Sequence, residues 1–372
     1  MDSSSFFDLL QHQIPVIRSR LQALQPEALA RRSGFLERTP RKIPILRFLE
    51  GLLALAPETH LSLERIASVI GLAANTTYTK QALHERLDRR VESFLIQVIV
   101  GLFCPLRLSV ETSQAFKPFA RVLIQDSTVE RLPNHLADIF PGSGNQHAQD
   151  YACLKIQWVC DLKHSAVLHT SLSGFTRNDQ AAAPDILAVV RRDDLGIRDL
   201  GYLSSSVLAQ LQDQGAFFLT RHRHGVNLYD PQSGQPLDLK AQLTTCGSLD
   251  RRLLLGPERV PLRFVALPVP EEVANRRRHK AKTEARRRHR SPPSRLSLFL
   301  MGWNLFLTNV PASVWSPKTL LAIYGLRWRV EIIFKSWKSH LGLRQLNCAT
   351  PRFAPALAAD QTVVLCNGLP AL

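Results

Sequence analysis

No two of the six cysteines (Cys104, Cys153, Cys160, Cys246, Cys348 and Cys366) stand in a C-x-x-C pair. That spacing argues against a zinc ribbon or a thioredoxin-like site, and scattered thiols suit small core positions in a reducing compartment. The chain does not open on a basic stretch followed by an apolar one, so no secretory leader is expected. No run approaches the roughly 18 uninterrupted apolar residues of a membrane helix, so no membrane partner is expected and a cytoplasmic location is. A repeat of fixed period is missing too, which excludes solenoid and propeller arrays. Acidic residues are scarce: 31 Asp and Glu face 47 Lys and Arg, a formal charge of +16. Such an excess predicts a polyanionic partner, nucleic acid being the commonest. What is present is ordinary for a globular protein, 45% apolar residues over 372 positions, enough for two or three domains.

Residues 1–110 read as a helical N-terminal domain, with apolar residues three or four apart in Asp8–Leu24, Pro44–Leu55, Ser62–Ile70, Thr79–Asp88 and Val91–Phe103. Ser62 is an N-cap candidate and Gly71 the expected end of its helix. A second helix bearing Lys80, Gln81, His84 and Arg86 makes a pair compatible with helix-turn-helix DNA reading, Lys80 and Arg86 being the cations placed for it. The same spacing also fits a plain helical hairpin.

Strand patterns begin at Phe119. Val122–Asp126 is an apolar run ending in an acid, and Cys153–Cys160 and Ala166–Leu172 continue a meander. Ala181–Arg192 reads as a helix, Ile197–Tyr202 as a strand containing Asp199, Ser204–Gln214 as a helix and Ala216–Thr220 as a strand. Three strands followed by alternating helix and strand make an α/β class and match the order of a ribonuclease-H-like core, here 119–221. Residues 222–310 read as a β-rich insertion, with short apolar pieces broken by Gly and Pro. Within it the segment 275–295 sets ten cations, Arg276, Arg277 and Arg278 among them, against the single acid Glu284. So little internal pairing points to phosphate contact rather than to a solvated charged helix.

Ser316-Pro317 starts a further helix, expected to run to His340 inside the segment 311–345. At about 100° per residue, Tyr324, Arg327, Glu331 and Lys338 fall within an arc of roughly 60°, beside a packing face that includes Ile323, Phe334 and Trp337. Taken alone, that stripe also fits a surface Glu paired with Arg and Lys. Asp126 and Asp199 add two carboxylates from strands. Three acids converging from two strands and a helix have the donor set for two hard divalent ions, Mg²⁺ or Mn²⁺ in its place, bridging a phosphate.

Tyr324-x₂-Arg327-x₃-Glu331-x₆-Lys338 matches without a gap the YREK signature of insertion-sequence-4 family DDE transposases, and the chain resembles that family. Asp126-Ser127-Thr128 resembles the family's first-acid motif and Asp199-Leu200-Gly201-Tyr202-Leu203-Ser204 its second. The resemblance covers about Phe119 to Lys338 and implies a bacterial, nucleoid-associated enzyme of DNA transposition. It implies a ribonuclease-H-like core interrupted by a β-rich insertion, with Asp126, Asp199 and Glu331 as catalytic and metal-binding residues. It further implies phosphate contacts from Tyr324, Arg327 and Lys338, and stacking of a flipped base on Trp303. The implied partners are the terminal inverted repeats of its element, target DNA and a second copy of the chain in a paired-end complex. The apolar tail 346–372 is short where relatives commonly continue through further helices. The competing expectation is therefore a truncated remnant that binds element ends without cutting, set apart by metal-dependent nicking.

Overall fold

The computed structural model describes residues 14–37, 43–54, 62–86, 90–91, 94–95, 97–98, 110–132, 134–142, 151–164 and 166–327. The N-terminal helices are α1 (Ile14–Ala23), α2 (Pro26–Arg32), α3 (Ile45–Ala54), α4 (Leu63–Ala73), α5 (Lys80–Arg86) and α6 (Val110–Ala115). The sequence reading missed α2, whose seven residues are too short for an apolar period to show, although Pro26 occupies its first turn. Ser62 caps α4 by accepting from the Arg65 N–H, as expected. Gly71 does not end that helix, which runs on to Ala73. Its role is close approach, because a Cβ there would lie 2.7 Å from the Thr76 carbonyl oxygen. Gly51 plays the same part where α3 crosses α4: a Cβ would sit 2.6 Å from the Ile70 Cα. Gly51→Ala is therefore expected to destabilise the protein by about 1–3 kcal/mol, the usual range for overpacking, read as a lower urea midpoint at unchanged m.

One nine-stranded sheet organises the rest: β1 (Val122–Leu132), β2 (Ala152–Asp161), β3 (Ala166–Gly174), β4 (Leu195–Arg198), β5 (Phe217–Arg221), β6 (Leu228–Tyr229), β7 (Leu249–Leu255), β8 (Val260–Pro268) and β9 (Trp303–Thr308). Their order is β3-β2-β1-β4-β5-β9-β8-β7-β6. Strands β1, β4 and β5 are mutually parallel, and every other pairing is antiparallel. The strands within 222–310 thus extend the same sheet rather than folding apart. Helices α7 (Ser205–Asp213), α8 (Leu239–Cys246), α9 (Glu271–Arg287), α10 (Arg295–Leu300) and α11 (Pro317–Gly325) complete the described elements.

Three boundaries differ from the sequence reading. Strand β1 does not close at Asp126 but runs six residues further, because β2 is long enough to pair with it from Asp161 back to Ala152. Within Ala181–Arg192 only Ala183–Ala188 winds, as a short 3-10 turn. Its downstream carbonyls and amides are taken up elsewhere: Arg121 Nη2 donates to the Val189 oxygen, and the Arg191 N–H to the Asp194 carboxylate. Asp199 lies not within a strand but just past β4, leading into a 3-10 turn over Leu200–Tyr202.

Two cores flank the sheet and a third joins it to the helices. One face packs Leu123, Val207, Phe218, Phe264 and Leu307 under α7. The other packs Ile124, Ile197, Leu219, Phe306, Trp315, Leu320 and Ile323 under α11. The helical core of α1–α5 includes Leu132, Ala152 and Leu154, so these helices seat on the end of the β1–β2 hairpin away from Asp126. Cys153 and Cys160 are buried as expected of core thiols, whereas Cys246 is exposed.

Candidate active site

The parallel register aligns Ile124 with Ile197 and Gln125 with Arg198, so Asp126 and Asp199 are the next residues on neighbouring strands about 4.8 Å apart. Side chains alternate faces along a strand. Ile124 and Ile197 point into the core under α11, and Asp126 and Asp199, two residues on, share that face. The intervening Gln125 and Arg198 turn to the other face, where they donate to the Ala182 and Ala183 carbonyls at 2.7 and 2.8 Å. Apolar residues thus bury this face below the two carboxylates, Asp126 within β1 and Asp199 just past the end of β4.

Helix α11 supplies the opposing charge. Ser316 caps it by accepting from the Thr319 N–H with Pro317 in the first turn, and Trp315, Leu320 and Ile323 fasten it to the sheet. Arg327, just beyond, is only 6% exposed and reaches both acids: Nη1 lies 3.9 Å from Asp126 Oδ2 and Nη2 3.4 Å from Asp199 Oδ1. The Asp126 carboxylate also accepts the Ser127 N–H at 2.8 Å. Tyr324 packs its ring 5.4 Å from that of Phe306, and burial together with the Asp199 charge pushes its phenol up to about 12, keeping it a neutral donor near pH 7. Tyr324 and Arg327 therefore lie beside Asp126 and Asp199. Glu331 and Lys338 lie outside the described residues.

Sequence reasoning overlooked Arg221. It is two residues past Leu219 on β5, hence on the same face, in the row that continues Asp126 and Asp199 across the sheet. Its charge is felt by both Tyr324 and Arg277. The only sequence signal was an arginine at an apolar strand's end, too common to single out.

Other expected residues fall elsewhere. Trp303 starts β9 on the face of Leu305 and Leu307, opposite the acids, with its ring 6.1 Å from Phe299. Alternation gives the acid face to Asn304, so Trp303 lies on the face opposite Asp126 and Asp199. Arg277 donates to the Met301 and Trp303 carbonyls and to Asn304 Oδ1 at 2.9 Å, tying α9 to β9. Arg278 donates to the Leu298 carbonyl at 3.1 Å and pairs with Glu271. Arg276 and Lys280 are exposed on the same helix. Lys80 is exposed on α5, but Arg86 turns inward, its guanidinium 5.8 Å from the Phe35 ring and 6.0 Å from that of Phe48.

Hard carboxylate oxygens facing one shared cation are the donor chemistry that suits a divalent ion. The profile of the transposase DDE domain matches residues 117–358, a span that contains this whole constellation. The chain belongs to that family. It is 29% identical over 301 residues to the transposase for insertion sequence element IS231B of Bacillus thuringiensis subsp. berliner, covering 75% of this chain and 62% of the relative. The figures for the IS231D transposase of B. thuringiensis subsp. finitimus are 29% over 308 residues, 76% and 63%. The transposase for IS1151 of Clostridium perfringens is 23% identical over 306 residues, covering 76% and 64%. The chain thus spans a little under two thirds of the length of these relatives.

Proposed function

We propose that this DDE-family chain cuts and rejoins the ends of an insertion sequence, with Asp126, Asp199 and Glu331 holding divalent ions, Mg²⁺ or Mn²⁺ in its place. The observation that carries this reading is the meeting of Asp126 and Asp199 with Arg327 of the signature helix on one face of the sheet. Asp126, Asp199 and Glu331 would hold such ions, which would supply Lewis-acid activation of an attacking water or 3′-hydroxyl and charge for the leaving oxygen. The chain's own groups do the rest: Arg327, Arg221 and neutral Tyr324 hold phosphate oxygens beside the acids, and Lys338 extends that grip. The strand order β3-β2-β1-β4-β5 with its parallel β1-β4-β5 centre supports a ribonuclease-H-like core. Exposed Lys80, Gln81 and His84 on α5 support DNA contact by the helical region, within a boundary of 1–110. The partners on this reading are element-end DNA, target DNA and a second copy of the chain, met in the cytoplasm.

The test is incubation of the full chain with linear DNA carrying the inverted repeats that flank its reading frame, with Mg²⁺ or Mn²⁺. Nicks at the repeat boundary and joining to a target plasmid are expected. Binding without any metal-dependent nick overturns the catalytic reading in favour of a protein that only grips DNA ends.

The charge of α9 gives a second expected result. Replacing the exposed Arg276 and Lys280 with Ala should lower the slope of log K against log[salt] by about 0.9 for each lost phosphate contact, equally on end and unrelated duplexes. Arg277→Ala should instead lower the melting temperature, because it frees two carbonyls and Asn304. Filter binding over a salt series separates the two, and an unchanged slope in the Arg276–Lys280 variant shows that this face does not meet DNA.

A further inference from the structure

Behind the acid face lies a polar cluster that the proposed chemistry does not use. The β1–β2 register sets Ser127 opposite Gln157 and Val129 opposite Lys155, so Ser127, Gln157 and Lys155 share the face away from Asp126. All three converge on one oxygen of Asp179. Ser127 Oγ donates to Oδ1 at 2.8 Å, Lys155 Nζ lies at 2.8 Å and Gln157 Nε2 donates at 3.2 Å. The Lys155 side chain is only 7% exposed, so Asp179 supplies the counter-charge that lets it be buried. Burial pushes the Asp179 carboxyl upward, but the hydrogen bonds from Lys155 and Ser127 outweigh it and hold the group below its ordinary value.

The second oxygen faces the other acid's segment. A Cβ at Gly201 would lie 3.0 Å from Asp179 Oδ2, so the turn after Asp199 packs closely on this carboxylate. Tyr202, in that same turn, donates its hydroxyl to Gln157 Oε1 at 2.5 Å and so joins the cluster through Gln157. Ser127 touches both sides, since its N–H donates to Asp126 while its hydroxyl donates to Asp179. One carboxylate therefore holds the residue after Asp126 directly and reaches the turn after Asp199 through Gln157.

We infer that Asp179 is a positioning residue that sets the relative geometry of the Asp126 and Asp199 segments, bonded directly to Ser127 and linked through Gln157 to Tyr202 in the turn that packs against it. The inference rests on the metal-site reading proposed above. Groups that orient metal ligands typically change metal affinity about 10- to 100-fold when removed. Asp179→Ala, and Ser127→Ala as the milder variant that leaves the Lys155 ion pair in place, should both weaken Mn²⁺ binding to the full chain without DNA. The expected size is about 10- to 100-fold for Asp179→Ala and less for Ser127→Ala, with a parallel rise in the Mn²⁺ needed for half-maximal cleavage. Calorimetric Mn²⁺ titration and thermal melting are run side by side, with Asp126→Asn as control. Wild-type Mn²⁺ affinity in a folded Asp179→Ala or Ser127→Ala protein overturns the inference, and so does a loss no larger than the unfolded fraction. If Asp126→Asn itself binds Mn²⁺ like the wild type, the metal-site reading falls, and this inference with it. If Asp126→Asn loses Mn²⁺ and the other two keep it, only the role of Asp179 is lost.

Discussion

Asp126→Asn and Asp199→Asn are each expected to reduce divalent-ion-dependent cleavage of element-end DNA to background, with Glu331→Gln as the third member of the set. The substitution keeps the shape of the side chain and removes the charge that a hard cation requires. Metal-ion catalysis contributes several kcal/mol of transition-state stabilisation, so a loss of about a thousandfold or more is expected at roughly 1.4 kcal/mol per decade. Binding should survive, because on the proposed reading phosphate affinity would come from cations such as Arg221, Arg327 and Arg276. Melting should change little, since the amide keeps the side-chain shape and the strands around it are held by Ile124, Ile197 and Leu219. Cleavage by any of these variants at a near wild-type rate removes that residue from the metal-binding set.

Arg327→Ala is expected to have the largest effect on stability in the absence of metal. Arg327 is nearly buried and sits between Asp126, whose side chain is 14% exposed, and Asp199, 37% exposed. Removing it leaves two neighbouring carboxylates without their shared cation. Breaking a fully buried pair costs about 3–5 kcal/mol, and solvent around Asp199 lowers the expectation to about 2–3 kcal/mol. Divalent ions should offset this loss, since they bind the folded site and neutralise the same charges. Mn²⁺ should therefore raise the melting temperature of Arg327→Ala by more than it raises that of the wild type, measured against samples in chelator. An equal or smaller rise shows that Arg327 does not act as the counter-ion of the pair.

Asp126 stood out as an acid after an apolar run, whereas Asp199 was read into a strand that ends at Arg198, and the strand register is what brings the two side by side. Helical spacing put Tyr324 and Arg327 on one stripe, but that stripe also fitted a surface Glu paired with Arg and Lys, and only the family resemblance gave them a role. Arg86 and Arg277 show the opposite case. Their charge suggested DNA, yet Arg86 is folded over Phe35 and Phe48, and Arg277 holds β9 carbonyls. An arginine's charge is visible in a sequence, but its long aliphatic stem lets it pack or snorkel, and only the surrounding backbone decides which.

The amino-acid sequence by itself determined most of the longer local elements, the cationic excess and the acids as residues, because period, caps and residue chemistry act over a few neighbours. The tertiary structure alone decided strand order and register, which are relations between segments far apart in the chain. Those relations put Asp126, Asp199 and Arg221 in one row, turned Trp303 to the opposite face, and gathered Ser127, Lys155, Gln157 and Tyr202 around Asp179. A one-residue slip in register would exchange the two faces and scatter both groups. Long-range pairing therefore converts separate acids and cations into a site.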